Sequence, residues 1–201
     1  AGGKYTTYRV MAADAIDAVA DDVTRSVPPS VTENIPLVGA EGYQAMVNQL
    51  HGLSERWGIP HFRAEHLLNR YGSLTPEVLS LAADDPALLA PVPGAEEYLM
   101  VELVYGAAHE GAQHLDDLLA RRTRISIETP HRGVESAEPV ARAVAGVLGW
   151  DEQRITNEVE SYRARVDAER RSQEAADDQA ADAVRVAAPD TRAVAVGRAL
   201  V

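Results

Sequence analysis

Residues 95–124, AEEYLMVELVYGAAHEGAQHLDDLLARRTR, decide the fold. From Ala95 to Glu110 the spacing predicts a helix, with Tyr98, Leu99, Leu103 and Val101 or Val104 on its buried side. Gly111 permits a break. Leu115 to Arg122 reads as a short helical segment. Asp116 and Asp117 open it, and Arg121, Arg122 and Arg124 gather near its end, a polarity that suits the helix dipole. No good strand pattern appears here or anywhere after residue 10.

Toward the carboxy terminus, residues 123–135 read as loop. Ser136 is placed to cap a helix from Ala137 to Leu148, with Pro139 in its first turn and Gly149 as C-cap. Asp151 caps the next helix, whose stripe is Ile155, Val159, Tyr162 and Val166. Beyond about residue 170 the chain is rich in Ala, Asp, Glu, Gln and Arg without a sustained stripe, so residues 171–201 are expected to be a disordered tail.

Toward the amino terminus, residues 86–94 read as Pro-rich loop. Thr75-Pro76-Glu77 marks the start of a short helix. Another helix begins at Pro60, carries Phe62, Leu67, Leu68 and Tyr71, and closes at Gly72. A third runs from Ala40 to Arg56 on Tyr43, Met46, Val47, Leu50 and Leu53, and Gly58 ends it. Residues 26–39 hold three prolines and a glycine and read as a linker. Ahead of it, Val10, Met11, Ile16 and Val19 oppose Asp14, Asp17 and Asp21 on one more helix, with Thr6 or Thr7 to cap it. Gly2 and Gly3 form a turn, and Tyr5 to Tyr8 is β-prone. The fold class is all-α: a bundle of about seven helices preceded by a short strand or turn. The divisions are 1–25, the 26–39 linker, the 40–170 helical domain and the 171–201 tail.

The composition agrees. The 201 residues are 46% hydrophobic but only 5% aromatic, which favours helices over sheets. The absence of cysteine excludes a disulfide framework, a thiolate metal site and a Cys nucleophile. A net charge of −12 repels phosphate backbones and argues against nucleic acid. No apolar run approaches the ~20 residues that span a bilayer, and charges throughout residues 1–25 argue against a signal peptide. The chain opens on Ala-Gly-Gly-Lys and reads as part of something longer.

Motif searches exclude more than they find. His109 and His114 are five apart, about 140° around a helix, and cannot share a zinc as an i,i+4 pair can. His61 and His66 have the same spacing, so no metal is expected. Glu110 is expected to pair structurally with Arg121, Arg122 or Arg124. The Leu67–Leu81 helix–turn–helix carries no basic residue on its second helix, Pro76 to Ala83, which excludes the usual phosphate contacts. Gly2-Gly3-Lys4-Tyr5-Thr6-Thr7 allows close backbone approach, then a lysine, then a helix start. That order suits an anion, although an ordinary turn reads the same way.

Four segments, in order, resemble the FAD-dependent glycerol-3-phosphate dehydrogenases. AGGKYTTYRVMAADAIDAV resembles their GGK-x-TTYR-x-MA segment. LLNRYGSLTPEVLSLA resembles their L-x-x-RYG helix pair, and EEYLMVELVYGAAHEGAQHLDDLLARRTRI their longest carboxy-terminal motif. LGWDEQRITNEVESYRARV is similar to their closing helix. The resemblance covers about residues 2–168 and implies an all-helical carboxy-terminal domain following the end of a flavin domain. It implies FAD, glycerol 3-phosphate and a quinone-type acceptor, with Lys4 beside flavin and substrate as the catalytic residue. Gly2, Gly3, Lys4, Tyr5 and Thr6 would line the cofactor, mainly through backbone. The family's GxGxxG is absent, so the chain alone is expected neither to hold FAD nor to turn over substrate. The missing amino-terminal FAD domain is the expected partner. The place in the cell is expected to be the cytoplasm, peripheral at the inner face of the membrane. Without that domain, Lys4 to Ile16 is expected to be displaced, frayed or packed on a second copy. The alternative is a non-enzymatic helical interaction domain that holds a partner on the Arg121-Arg122-Thr123-Arg124 surface or in an apolar groove.

Overall fold

The computed structural model describes residues 4–20, 22–23 and 26–189. A 3₁₀ turn at Tyr5–Thr7 leads into α1, Tyr8–Ala20. A second 3₁₀ turn at Thr32–Asn34 is followed by α2 (Tyr43–Trp57), α3 (His61–Tyr71) and α4 (Thr75–Ser80). A two-stranded antiparallel hairpin, β1 (Pro91–Val92) and β2 (Ala95–Leu99), feeds directly into α5 (Met100–His109). A π-helical turn at Asp117–Arg122 precedes α6 (Ile125–Glu128), α7 (Val134–Leu148), α8 (Glu152–Gln173) and α9 (Asp178–Val186). The all-helical class holds, with α6 and α9 as short additions.

The hairpin corrects the expected start of the central helix. Ala95 to Leu99 is strand, not helix, because Gly94 turns the chain at φ 75° and the strand pairs back on Pro91 and Val92. Ser136 also does other work than capping. It is fully buried and donates its hydroxyl to the Pro93 carbonyl at 2.8 Å, tying the hairpin to α7. Thr75 likewise donates to the Gly72 carbonyl at 2.8 Å rather than capping α4. Asp151 does cap α8, accepting from the Arg154 amide at 2.7 Å, and Gly58 and Gly149 end α2 and α7 in the left-handed conformation.

The expected disordered tail is corrected in its first half. Residues 171–173 extend α8, and Asp178–Val186 is a helix capped by Asp177, which accepts from the Ala180 amide at 2.8 Å. Its buried residue, Ala181, is small, so α9 lies close along α8 without a large apolar stripe to announce it.

α5 is the axis of the core. Its seven residues from Val101 to Ala107 are all buried, so it is enclosed all round rather than on one face, and every one of them but Glu102 and the Tyr105 hydroxyl is apolar. Leu103, Val104 and Ala107 join Leu118, Leu119, α7 and α8 in one cluster. Val101 and Tyr105 join α2, α3 and α4 in a second. Gly106 lets the π-helical turn approach, since a Cβ there would lie 3.1 Å from Leu118 Cδ2. The amino-terminal arm, residues 4–20 and 26–38, differs. Neither α1 nor the 3₁₀ turns in it contain a buried residue.

Candidate functional site

One buried ionic network joins two of the quoted segments. Glu102 sits in the first turn of α5 with no exposed surface. Its carboxylate accepts from the Leu99 amide at 2.8 Å, which satisfies a free donor of the helix start. It also meets His66 Nε2 at 3.1 Å and the Tyr71 hydroxyl at 3.3 Å. Arg70 Nε lies 3.4 Å away, close enough for ion pairing but off the hydrogen-bond direction. The Arg70 guanidinium also lies 5.4 Å from the centre of the Tyr98 ring and donates to the Arg122 carbonyl. Arg122 in turn donates through Nε to the Glu110 carbonyl at 2.7 Å.

The tyrosines around this network are held neutral. Burial, then the nearby Glu102 charge, pushes the Tyr71 hydroxyl far above its ordinary value. Burial, then a 2.7 Å hydrogen bond to Glu128, pushes Tyr98 up to about 12. Burial, then a 2.9 Å bond to Glu77, does the same for Tyr105. Burial also raises Glu110, against the lowering influence of Arg122 and Arg70. Tyr71, Tyr98 and Tyr105 therefore act as hydrogen-bond donors. Glu102 itself is sealed from solvent, while His66 and Arg70 keep part of their surface exposed. The network's chemistry is positional: it fixes α3, α5 and the π-helical turn in one arrangement.

The two histidines of the central motif part company. His109 stacks on the Tyr105 ring, with centroids 4.7 Å apart. His114 Nδ1 meets the buried Glu158 at 2.9 Å, and Glu158 also accepts from the Leu115 amide and from Arg154. Among the described residues no group of three His, Asp or Glu side chains could hold a metal. Of the arginine run, Arg121 pairs with Asp116 and Asp117, and Arg124 pairs with Glu128. The expected pairing of an arginine with the Glu110 carboxylate is corrected in detail, since Arg122 reaches that residue's carbonyl. These contacts favour a structural network over a partner surface.

Sequence reasoning missed Glu102. The signal was a lone acid inside the apolar run Leu99-Met100-Val101-Glu102-Leu103-Val104. A charge there must find partners, and they lie 31 and 36 residues back, at Tyr71 and His66.

The amino-terminal candidates lie apart from all of this. Gly2 and Gly3 fall outside the described residues. Lys4, Tyr5 and Thr6 are exposed, Tyr5 to 89%. Lys4 is extended, its carbonyl accepts from the Thr7 amide and hydroxyl, and the helix starts there. The Tyr5 and Tyr8 rings stack at 5.8 Å. A lysine at an open helix start is a donor set that fits the edge of an anionic cofactor. The fit is partial, because the chain carries no GxGxxG strand–turn–helix to hold a pyrophosphate.

Fold and site thus define an all-helical domain, locked by a buried ionic network and carrying an apolar arm it does not cover. A family model described as the C-terminal domain of alpha-glycerophosphate oxidase matches residues 30–155, and the chain belongs to that family. It is 56% identical over 193 residues to "Glycerol-3-phosphate dehydrogenase 2" of Mycobacterium tuberculosis, covering 96% of this chain and 33% of that protein. "Glycerol-3-phosphate dehydrogenase" of Mycobacterium leprae is 54% identical over 192 residues, with the same coverage. The Synechocystis protein of that name is 27% identical over 163 residues, covering 80% of this chain and 29% of its own length. The chain spans about a third of the mycobacterial relatives it matches.

Proposed function

We propose that this chain is the carboxy-terminal third of a flavin-dependent glycerol-3-phosphate dehydrogenase. The whole enzyme would oxidise glycerol 3-phosphate to dihydroxyacetone phosphate and pass electrons to a quinone-type acceptor. Its place would be the cytoplasm, at the inner face of the membrane. Among the described residues no helix is long and apolar enough to cross a membrane. The observation that carries the proposal is the coverage: the mycobacterial dehydrogenases match 96% of this chain at 54–56% identity, with only a third of their own length.

FAD, when bound, supplies the hydride acceptor. The chain's own contribution is at its amino terminus. Gly2 and Gly3 allow close backbone approach, and the helix start at Tyr5 and Thr6 offers N–H groups to negative charge. Lys4 supplies a cation where charge develops on the cofactor edge and on the substrate oxygen. Stabilisation of this kind is worth about 10²–10³ in kcat per lost donor. Residues 40–170 supply the buried network that holds α3, α5 and the π-helical turn together.

The test uses the complete coding region. Expressed whole, the enzyme should bind flavin and reduce a dye with glycerol 3-phosphate. Lys4→Met should lower kcat by about 10²–10³ with flavin retained. The 201-residue chain alone should show neither flavin absorbance nor turnover. A whole enzyme without flavin, or a Lys4→Met variant at full activity, would contradict the proposal.

A further inference from the structure

Positive charge collects at one groove on the helical body. Between α8 and the turn Pro130–Gly133 lies a space of about 500 Å³, lined by His131, Arg132, Arg163 and Arg170, with Asp167 the one carboxylate in its wall. The chain as a whole carries a net charge of −12, so this concentration is local. α8 supplies its side at a helical spacing: Arg163, Val166, Arg170 and Gln173 recur three and four apart and share the groove with the turn. Two of the arginines are partly engaged. Arg132 Nε meets Glu169 at 3.0 Å, and one terminal nitrogen of Arg170 meets Asp167 at 2.8 Å. A guanidinium has five N–H donors, so each keeps donors to spare. Among the described residues, Arg163 and His131 have no hydrogen-bond or ion-pair partner.

The turn is held in a strained shape. His131 and Arg132 both lie in the left-handed region, at φ 51° and 54°, and Gly133 follows at φ 68°. Glycine is required at the third position, where a Cβ would come within 2.5 Å of Ile125 Cγ2. The first two positions carry side chains in a conformation that side chains disfavour. The surroundings enforce it. The buried Tyr162 donates its hydroxyl to the Arg132 carbonyl at 2.6 Å, and Glu169 holds the Arg132 side chain. Backbone strain that is over-determined in this way collects at ligand clamps. Here it brings an exposed histidine and a half-buried arginine to the groove that the unpaired Arg163 lines.

We propose that this groove binds a phosphate monoester, with Arg163 and His131 as its main contacts and the spare N–H groups of Arg132 and Arg170 at its sides. The planar fork of an arginine matches two phosphate oxygens at once. Val134 and Val166 add an apolar wall, which suits the esterified carbon better than a further charged oxygen. None of these residues belongs to the Glu102 network or to the amino-terminal segment, so the assignment stands apart from the dehydrogenase reading. Arg163 and Arg170 also lie beyond residue 155, where the match to the family model ends. The phosphate could sit on a small soluble ester or on a lipid headgroup, and the chemistry that recognises it is the same.

Thermal melting of the 201-residue chain tests this at constant ionic strength, with inorganic phosphate and phenyl phosphate as probes and chloride as the control anion. Both phosphates should raise the melting temperature saturably, phenyl phosphate at the lower concentration. Arg163→Gln should weaken this binding by about tenfold or more, because it removes a charged hydrogen-bond donor. It should leave the melting temperature without ligand unchanged, since the side chain has no partner to lose. Arg9→Gln, in the exposed arm, should leave phosphate binding as it was. His131→Gly should release strain, raise the melting temperature without ligand and still weaken binding, a combination that a merely structural turn would not give. Vesicles of phosphatidylcholine with phosphatidic acid separate the two sources. Sedimentation of the chain with them, lost in Arg163→Gln, would place the phosphate on a lipid headgroup, and its absence would leave the soluble ester as the ligand. No saturable response to either phosphate, an equal response to chloride, or full binding by Arg163→Gln would overturn the proposal.

Discussion

The arm and the helical body are built from similar residues and end up in opposite environments. Ile16, Leu37 and Val38 lie in solvent, while Leu103, Leu118 and Ile125 are fully buried. Hydrophobic content does not separate them. What separates them is whether a complementary face lies within reach. α5 has one on every side: α3 and α4, the π-helical turn, and α7. α1 makes no comparable contact with the body. A stripe of apolar residues therefore establishes that a helix needs a partner, and says nothing about whether the partner is on the same chain.

The contrast breaks most visibly at Glu102. Glu102→Ala leaves Arg70 beside the buried site without its counter-charge, and should cost about 3–5 kcal/mol. Chemical denaturation of the 201-residue chain measures it. A loss below about 1 kcal/mol, the range of an exposed pair, would mean that the network is not what holds α3 to α5.

A matched pair of leucines sharpens the comparison. Leu118→Ala should cost about 2–5 kcal/mol by opening a cavity against α5. Leu37→Ala in the arm should stay within about 0.5 kcal/mol. Equal losses would show that the arm packs on the body after all.

Alkaline pH acts on the body alone among the groups with raised values. Tyr98 and Tyr105 have folded values of about 12, above the ordinary 10.0. A raised folded value means the folded state holds its proton longer. The stability they contribute is present in full below about pH 10 and is lost as pH rises through about 12. The chain has a single lysine, Lys4, and the buried Tyr71 and Tyr162, raised in the same direction, add to the loss in that window. The denaturation midpoint should fall between pH 10 and 12, and Tyr105→Phe should flatten part of the fall. A flat profile would contradict the burial of these hydroxyls.

The smallest effect in the body is a cap. Asp151→Ala should cost about 1 kcal/mol, because it removes the acceptor for the Arg154 amide. No measurable loss would mean that the start of α8 is held by packing alone.

Much of the body was legible because its signals are local. Gly58, Gly149 and Asp151 end or begin helices within a turn of themselves, and the 3.6-residue spacing gave α2, α3, α7 and α8. The hairpin at residues 91–99 was not legible. Prolines masked a two-residue strand, and Tyr98 and Leu99 fit a helix stripe as well as a strand. α9 was missed because it is buried through alanine rather than a large side chain. The site divides in the same way. The lysine and helix start at the amino terminus can be read from adjacent residues. The Glu102 network joins residues more than thirty positions apart and appears only once the chain is folded.

The most direct test is to delete residues 1–36 from the chain and melt what remains. The arm buries no side chain in this structure, so the melting temperature and helical cooperativity of the body should be retained, with only α1's share of helicity lost. A large fall in melting temperature, or a body that no longer folds, would contradict the account, because it would make the arm part of the body's own core.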